Sequence, residues 1–154
     1  MKIGHIVSIV VLDQLTKYIV THSLKVNQSV AISSFFNITY IQNRGILFGM
    51  MNNSSFSPFL VIAANIIAII ILILWSLRPD NNFWIKEGIT LIVSGAVGNL
   101  IDRLLYGGVI DFLDFHIGQY HWPAFNVADI SITVGTALLG IGLFKEKKNV
   151  SRPL

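Results

Sequence analysis

The sequence lacks cysteine and contains little charge. No cysteine occurs among its 154 residues, which excludes disulfides, thiolate catalysis, and zinc-thiolate and iron-sulfur sites. Charged residues make up only 12% of the chain, about half the share of a typical soluble domain, whose surface must be hydrated. Hydrophobic residues make up 53%, and the mean hydropathy is +0.67. This composition argues against a soluble enzyme or a disordered chain and favours a protein whose main solvent is lipid.

Basic residues are in slight excess, with a formal net charge of +3. No compact basic stretch with interleaved aromatic residues accompanies this excess, so we expect no nucleic-acid partner. In a membrane protein, Lys and Arg have another use, because their accumulation on the cytoplasmic side sets the orientation of the helices. We therefore interpret the positive charge as an orientation signal.

Four apolar stretches are long enough, or nearly so, to cross the hydrocarbon core, which takes about 20 residues. They cover residues 3–20, 56–77, 88–105 and 124–144. We predict an all-α membrane protein in which residues 1–154 form a single integral membrane domain with four transmembrane helices. A cleaved signal peptide is the weaker interpretation of the first stretch, because Asp13 and Lys17 interrupt it and no small-residue cleavage signal follows.

An even number of membrane crossings places both termini on one side. On the side of the termini we count seven basic residues: Lys2, Arg78, Lys86, Lys145, Lys147, Lys148 and Arg152. On the opposite side we count four: Lys17, Lys25, Arg44 and Arg103. This asymmetry predicts that both termini are cytoplasmic.

The segment between the first two helices contains a predicted strand. Residues 35–41 are rich in aromatic and β-branched side chains, and polar and apolar residues alternate with period two over residues 36–40. Asn43, Arg44 and Gly45 then form a predicted turn, in which Gly45 is able to adopt a positive φ. We therefore predict a small extracytoplasmic β-cradle between helices 1 and 2.

Acidic residues gather near the outer ends of the predicted helices. Five of the eight lie there or in the loop between helices 3 and 4, namely Asp13, Asp102, Asp111, Asp114 and Asp129. An acid inside a bilayer is by default a functional-site hypothesis, because a charge there is costly. The alternative is that these carboxylates reach water and pair with Arg103 and Lys17.

The spacing of polar residues on two helices suggests how such acids could work. Asn99, Asp102 and Arg103 stand at i, i+3 and i+4 and share one helix face, and Asn126 and Asp129 share a face of the fourth helix. Two carboxylates held close in a poorly hydrated site do not both ionise readily, so one is able to act as a base and the other as an acid. This chemistry is that of an aspartic peptidase.

The spacing leaves the identity of the pair open. Asp129 has three candidate partners: Asp102, Asp111 and Asp114. Asp102 is the least favoured of them, because its neighbour Arg103 suggests a structural ion pair or a hydrogen-bond network.

Other chemistries are less well supported by the sequence. Ser94 has no histidine in the fourth helix to act as its base, and Lys86 stands about 12 Å from it along a helix. His116 and His121 match no zinc spacing, so we expect neither a metal nor a cofactor.

A proton-linked transporter is the main alternative, but it predicts acids spread through the depth of the bilayer. A structural subunit is a third interpretation, which leaves the polar pairs at two helix ends unexplained.

Four motifs in order resemble those of the lipoprotein signal peptidase (signal peptidase II) family. They are Asp13-Gln14-Leu15-Thr16-Lys17, Asn43-Arg44-Gly45 with Phe48-Gly49, Gly95-Ala96-Val97-Gly98-Asn99-Leu100-Ile101-Asp102-Arg103 continuing into Val109-Ile110-Asp111-Phe112, and Phe125-Asn126-Val127-Ala128-Asp129. The resemblance covers nearly the whole chain. Ile46 and Leu47 depart from it, since small residues are frequent there in the family.

The resemblance implies a bacterial inner-membrane aspartyl endopeptidase that needs no cofactor. It assigns the catalytic pair to Asp111 and Asp129. Supporting or substrate-binding roles fall on Asp13, Asn43, Gly45, Asn99, Asp102, Arg103 and Asn126. The implied substrate is a prolipoprotein carrying diacylglycerol, cleaved on the amino side of the lipidated lipobox cysteine. We expect membrane lipids as the other partner, a monomer, and an active site near the outer interface.

Overall fold

The computed structural model describes residues 2–44 and 58–150, so that Gly45, Ile46 and Leu47 lie outside the described residues. The four helices are α1 (Ile3–Ser23), α2 (Pro58–Ser76), α3 (Phe83–Tyr106) and α4 (Val127–Val150). Strands β1 (Ser29–Ser33) and β2 (Phe36–Asn43) follow α1, and strands β3 (Val109–Ile117) and β4 (Tyr120–His121) follow α3.

All four helices are long and apolar enough to cross a membrane, as the sequence predicts. Large apolar side chains cover their outer surfaces, including Val7 and Val11 on α1 and Ile67 and Ile71 on α2, each more than half exposed. A lipid solvent favours apolar side chains on the outside and polar side chains inside. Polar groups find no water in the bilayer core, so they must form their hydrogen bonds within the protein.

Helix α3 lies at the centre and packs against the other three helices. Its apolar residues Ile85, Ile89 and Val93 form a buried cluster with Ile69 of α2. Its contact with α4 is close because glycines face each other. A Cβ added at Gly88 would come within 2.8 Å of the carbonyl oxygen of Gly135, so neither position leaves room for a larger residue.

Two helices begin at residues other than those the hydropathy predicts. Helix α3 begins at Phe83 rather than residue 88, because Asn82 caps it by accepting a hydrogen bond from the backbone N–H of Ile85 at 3.1 Å. Lys86 therefore lies in a helix rather than in the linker. Helix α4 begins three residues later than predicted, because Phe125 is held in an extended bridge with Leu113.

The four strands form one antiparallel sheet in the order β1-β2-β3-β4. The predicted sheet segment between helices 1 and 2 supplies β1 and β2, whereas β3 and β4 come from the connection between helices 3 and 4, where no strand was predicted. Like β2, strand β3 is rich in β-branched and aromatic residues, and polar and apolar residues alternate over residues 114–117, which is the signal that could have revealed it. An irregularity in the pairing with β3, between Ile38 and Ile41 of β2, sets Asp111 opposite Ile41.

Candidate active site

A cluster of fully buried charges joins α1 to α3. The Nζ atom of Lys17 lies 2.7 Å from Oδ2 of Asp13 and 2.7 Å from Oδ2 of Asp102, and it donates to Oδ1 of Asn99 at 3.1 Å. Both aspartates are 0% exposed and Lys17 is 2% exposed. Ions this deeply buried are tolerated only when they are paired and hydrogen-bonded.

Gln14 completes this cluster. Its Nε2 atom lies 3.2 Å from Oδ2 of Asp13, 3.0 Å from Oδ1 of Asp102 and 3.1 Å from the carbonyl oxygen of Gly98. The absence of a side chain at Gly98 makes room for Asp13, because an added Cβ would lie 2.6 Å from Oδ2 of Asp13. Gln14 and Lys17 were not among the predicted site residues, although the i,i+4 spacing of Asp13 and Lys17 is a usable signal.

The predicted ion pair between Asp102 and Arg103 is not formed. Asp102 pairs with Lys17 instead, and Nη1 of Arg103 donates to the backbone carbonyl of Asn99 at 3.2 Å. Adjacent residues on a helix point in directions about 100° apart, so Asp102 faces α1 while Arg103 faces elsewhere. Asp102 therefore takes part in both a structural ion pair, with Lys17, and a hydrogen-bond network, with Gln14 and the backbone of Ile110.

The buried cluster also fixes two other elements. Oδ1 of Asp13 accepts from the backbone N–H of Ala128 at 2.9 Å, in the first turn of α4. Oδ2 of Asp102 accepts from the backbone N–H of Ile110 at 3.1 Å, near the start of β3. Asp111 follows Ile110 and Asp129 follows Ala128. The cluster therefore positions both of the segments that carry these two aspartates.

Helix α4 begins with a reciprocal cap. Oδ1 of Asn126 accepts from the backbone N–H of Asp129 at 2.9 Å, and Oδ2 of Asp129 accepts from the backbone N–H of Asn126 at 3.3 Å. This exchange is a capping box, which fixes the backbone and the side chain of Asp129 together. It also holds the Asp129 carboxylate at the positive end of the helix dipole.

Amide side chains bind both aspartates. Asp111 accepts from Nδ2 of Asn126 at 2.7 Å and from Nδ2 of Asn43 at 3.0 Å. Asp129 accepts from Nδ2 of Asn99 at 2.9 Å. Asn126 therefore contacts both carboxyl groups, since it also caps Asp129. Neutral donors orient the two acids without fixing their protonation as a bound cation would.

Asp111 titrates far from its ordinary range. Burial, with the nearby charge of Asp129 as the second cause, raises the pKa of the Asp111 carboxyl from 3.8 to about 7. Hydrogen bonds from Asn43 and Asn126 oppose this shift without cancelling it. Asp111 is consequently able to hold a proton near neutral pH, which is the property required of an acid in an aspartic pair.

Asp114, the other candidate in the same strand, has a different environment. It accepts from Nδ2 of Asn37 at 2.8 Å, and its Oδ1 lies 2.8 Å from Nδ1 of His121. Burial alone would raise the pKa of Asp114, but these two partners hold it below its ordinary value. The ring of His116 stacks on that of His121. Within the described chain, no three His, Asp or Glu side chains group as metal ligands would.

A cavity of about 420 Å³ lies between α2, α3, α4 and β3. Of the acidic residues that the structure describes, only Asp111 and Asp129 line it, together with Asn99 and Arg103. The rest of the wall is mostly apolar, with Leu60, Val61, Ala64, Asn65, Ala68, Ala96, Val109, Ala124, Ile132 and Thr133. The cavity lining distinguishes the three candidate partners of Asp129: Asp111 shares the cavity with it, whereas Asp102 and Asp114 do not line the cavity.

Known proteins match this arrangement closely. The family model described as "Signal peptidase (SPase) II" matches residues 5–145. A lipoprotein signal peptidase of Paraburkholderia phymatum is 42% identical over 149 residues, covering 96% of this chain and 88% of that protein. One of Alteromonas mediterranea is 41% identical over 137 residues, covering 88% of this chain and 75% of that protein.

Solved structures show the same fold. A bacterial membrane enzyme determined by the in meso method at 2.3 Å resolution superposes with a TM-score of 0.84 and 36% identity, covering 99% of this chain and 92% of that chain. A second, determined at 1.9 Å resolution, gives a TM-score of 0.80 and 38% identity, covering 93% of this chain and 92% of that chain. Because the family model matches residues 5–145 and the relatives cover most of the chain, the chain belongs to the signal peptidase II family.

Proposed function

We propose that this chain removes the signal peptide from diacylglyceryl-modified prolipoproteins as an aspartic endopeptidase, with Asp111 and Asp129 as its catalytic pair. The observation that carries the proposal is that these two carboxyl groups share one cavity between membrane helices and are bound by neutral amides. Relatives covering most of the chain are lipoprotein signal peptidases, which supports this substrate class.

The pair divides the acid and base roles. Asp129, held at the positive end of α4, takes a proton from a water molecule, and the resulting hydroxide attacks the scissile carbonyl carbon. Asp111, which retains its proton near neutral pH, donates that proton to the carbonyl oxygen. The tetrahedral intermediate then collapses and the C–N bond breaks. The proton held by Asp129 passes to the leaving amine, and one hydroxyl of the intermediate returns a proton to Asp111 as the C=O bond re-forms.

The remaining predicted residues support this pair. Asn126 bridges the two aspartates, Asn99 orients Asp129, and Asn43 orients Asp111. Arg103 lies in the cavity wall, where its guanidinium is suited to bind a carbonyl of the substrate backbone. Asp13 and Asp102 do not line the cavity. They position the catalytic pair indirectly, because Asp13 binds the backbone of α4 and Asp102 binds the backbone of β3.

The membrane setting follows from the substrate. Each buried methylene of a lipid chain stabilises membrane attachment by about 0.8 kcal/mol, so a diacylglyceryl substrate stays in the bilayer and must be cleaved there. Asp129 stands two residues into α4 and Asp111 near the start of β3, consistent with a site near the outer interface. We propose the bacterial inner membrane as the location, with both termini cytoplasmic.

The transporter alternative is not favoured. It predicts acids distributed along a pathway through the bilayer, whereas the buried acids described here gather where α4 and β3 begin. Membership of the signal peptidase II family also favours peptide cleavage.

The test is cleavage of a purified prolipoprotein, with and without its diacylglyceryl group, followed by a mobility shift on a gel. We expect wild-type protein to cleave only the lipidated form and Asp129→Asn to be inactive while still folded. Asp114→Asn is the matched control, since Asp114 lies in the same sheet but does not line the cavity; it should cleave at a rate near that of wild type.

Two outcomes would contradict the proposal. Failure of folded wild-type protein to cleave several lipidated prolipoproteins would remove the proposed substrate class. Normal cleavage by Asp129→Asn would remove that residue from the catalytic pair.

A further inference from the structure

One polar group in the cavity wall, the side chain of Asn65, takes no part in the hydrogen bonds that hold Asp111 and Asp129. Asn65 is the only strongly polar residue in the interior of α2, and it lines the cavity with Asp111 and Asp129. Its Oδ1 atom is buried and has no hydrogen-bond partner, a condition shared among the described residues only by Nε2 of His116. A buried amide oxygen without a partner is costly, so its presence requires an explanation.

The neighbouring polar groups of the cavity wall all have partners. Asn99 donates to Asp129, and Arg103 donates to the backbone of Asn99. Oγ1 of Thr133 donates to the carbonyl oxygen of Asp129 at 2.8 Å. Asn65 differs from these residues because its carboxamide oxygen has no partner within the protein. This oxygen is therefore free to accept a hydrogen bond from a group that enters the cavity.

The helices around Asn65 leave a way for such a group to enter. Among the described elements, the backbone of α2 packs closely against that of α3 but not against those of α1 or α4. Helices α2 and α4 nevertheless both line the cavity. The cavity therefore lies between two membrane helices whose backbones are not packed closely together, a position that a chain diffusing in the bilayer is able to reach from the side.

The chemistry of peptide cleavage indicates what this group is. A peptide bond that is attacked by water must be unwound from a helix, so its neighbouring backbone N–H and C=O groups lose their internal partners. At membrane depth such groups are tolerated only where protein satisfies them. On α2 the cavity is otherwise lined by Leu60, Val61, Ala64 and Ala68, which offer no side-chain hydrogen bond.

We infer that Asn65 binds the backbone of the signal peptide on the amino-terminal side of the scissile bond. Its Oδ1 accepts a hydrogen bond from a substrate N–H, while its Nδ2 is able to donate to a substrate C=O. Asn65 stands about 10 Å into α2 from Pro58 at 1.5 Å per residue. At this depth Asn65 faces the part of the substrate that lies in the bilayer, which is the apolar signal peptide on the amino-terminal side of the scissile bond. The inference rests on the proposed function and adds a substrate-binding residue to it.

The first experiment compares kcat/KM for cleavage of a lipidated prolipoprotein by wild type, Asn65→Leu and Asn65→Ala. We expect a loss of about tenfold, the effect of one hydrogen bond, with an unchanged or higher Tm, because an unpaired polar atom has been removed. Ile66→Ala is the matched control, since Ile66 is an exposed neighbour on α2 that does not line the cavity. Rates equal to wild type in both Asn65 variants would overturn the inference.

The second experiment tests the hydrogen bond itself. Synthetic lipopeptides carry an ester in place of one amide at each position before the scissile bond, which removes one N–H at a time. With wild type, one position should lose about tenfold in kcat/KM, and in Asn65→Leu that position should lose nothing further. Persistence of the ester penalty in Asn65→Leu would overturn the inference, and so would a Tm loss that accounts for the lower rate.

A third measurement separates this inference from the proposed function. Affinity for uncleaved lipidated substrate is measured in Asp129→Asn, with and without Asn65→Leu. Weaker binding by the double variant supports the role of Asn65 whether or not Asp129 is catalytic, and equal binding opposes it. Failure of the wild type to cleave or bind any lipidated prolipoprotein would instead remove the proposed function.

Discussion

Two pairs of aspartates lie close together in this protein, and their partners differ. Asp13 and Asp102 share the ammonium group of Lys17 and are completely buried. Asp111 and Asp129 face a cavity and receive hydrogen bonds from asparagines. A cation binds both carboxylates of the first pair in fixed geometry, whereas the second pair is bound by neutral amides. The same side chain is thus suited to structure in one place and to chemistry in the other.

The largest expected effect is on the rate. Asp111→Asn keeps the shape of the side chain but removes its titratable proton, so kcat should fall by about 10³-fold or more. The Tm of the purified variant should not fall. Steady-state cleavage and thermal unfolding on the same preparation check both statements. If Asp111→Asn retains most of the wild-type rate, the distinction between the two pairs of aspartates fails.

The second effect is on stability. Lys17→Met leaves Asp13 and Asp102 buried beside each other without their cation, so the free energy of unfolding should fall by about 3–5 kcal/mol. The double variant Lys17→Met with Asp102→Asn should recover part of this loss, because one buried charge is removed. Thermal unfolding in detergent measures all three proteins. A normal Tm with abolished turnover in Lys17→Met would instead place the buried cluster in the chemistry.

The third prediction concerns pH. Because the pKa of Asp111 is raised from 3.8 to about 7, the folded state binds more protons than the unfolded state between these values. The free energy of unfolding should therefore decrease as pH rises through this window. Above about pH 7, kcat/KM should fall as Asp111 loses the proton that it donates. The Tm of Asp111→Asn, measured at pH 5 and pH 8, should change less than that of wild type, and an equal change would contradict the assignment.

The smallest expected effect comes from the amides. Asn43→Ala removes one donor to the Asp111 carboxylate, which should raise the pKa of Asp111 further and reduce kcat/KM by about tenfold or less. The alkaline limb of the pH profile should move to higher pH. Gln42→Ala is the control, because Nε2 of Gln42 donates to the carbonyl of Tyr106 instead. A lower rate with an unmoved alkaline limb would show that Asn43 does not act through Asp111.

The sequence predicted the local features of the fold well. Four apolar stretches gave four helices, because hydropathy and length alone decide whether a helix suits a bilayer. Strand β2 was predicted from its alternation and observed at Phe36–Asn43. Strand β3 was not predicted, because polar and apolar residues alternate only over its residues 114–117 and the rest of the strand has no period of two. The catalytic assignment of Asp111 and Asp129 by family resemblance stays a prediction, which the cleavage assay tests.

By itself the sequence determined the membrane class of the protein, the family motifs, and the set of aspartates from which the site is built. Only the tertiary structure decided their partners. Lys17 rather than Arg103 binds Asp102, Asp13 reaches α4 across 115 residues of sequence, and Asn65 has no partner for its oxygen in the cavity wall. Helical periodicity fixes which residues share a face, but the group that meets that face depends on how distant helices pack.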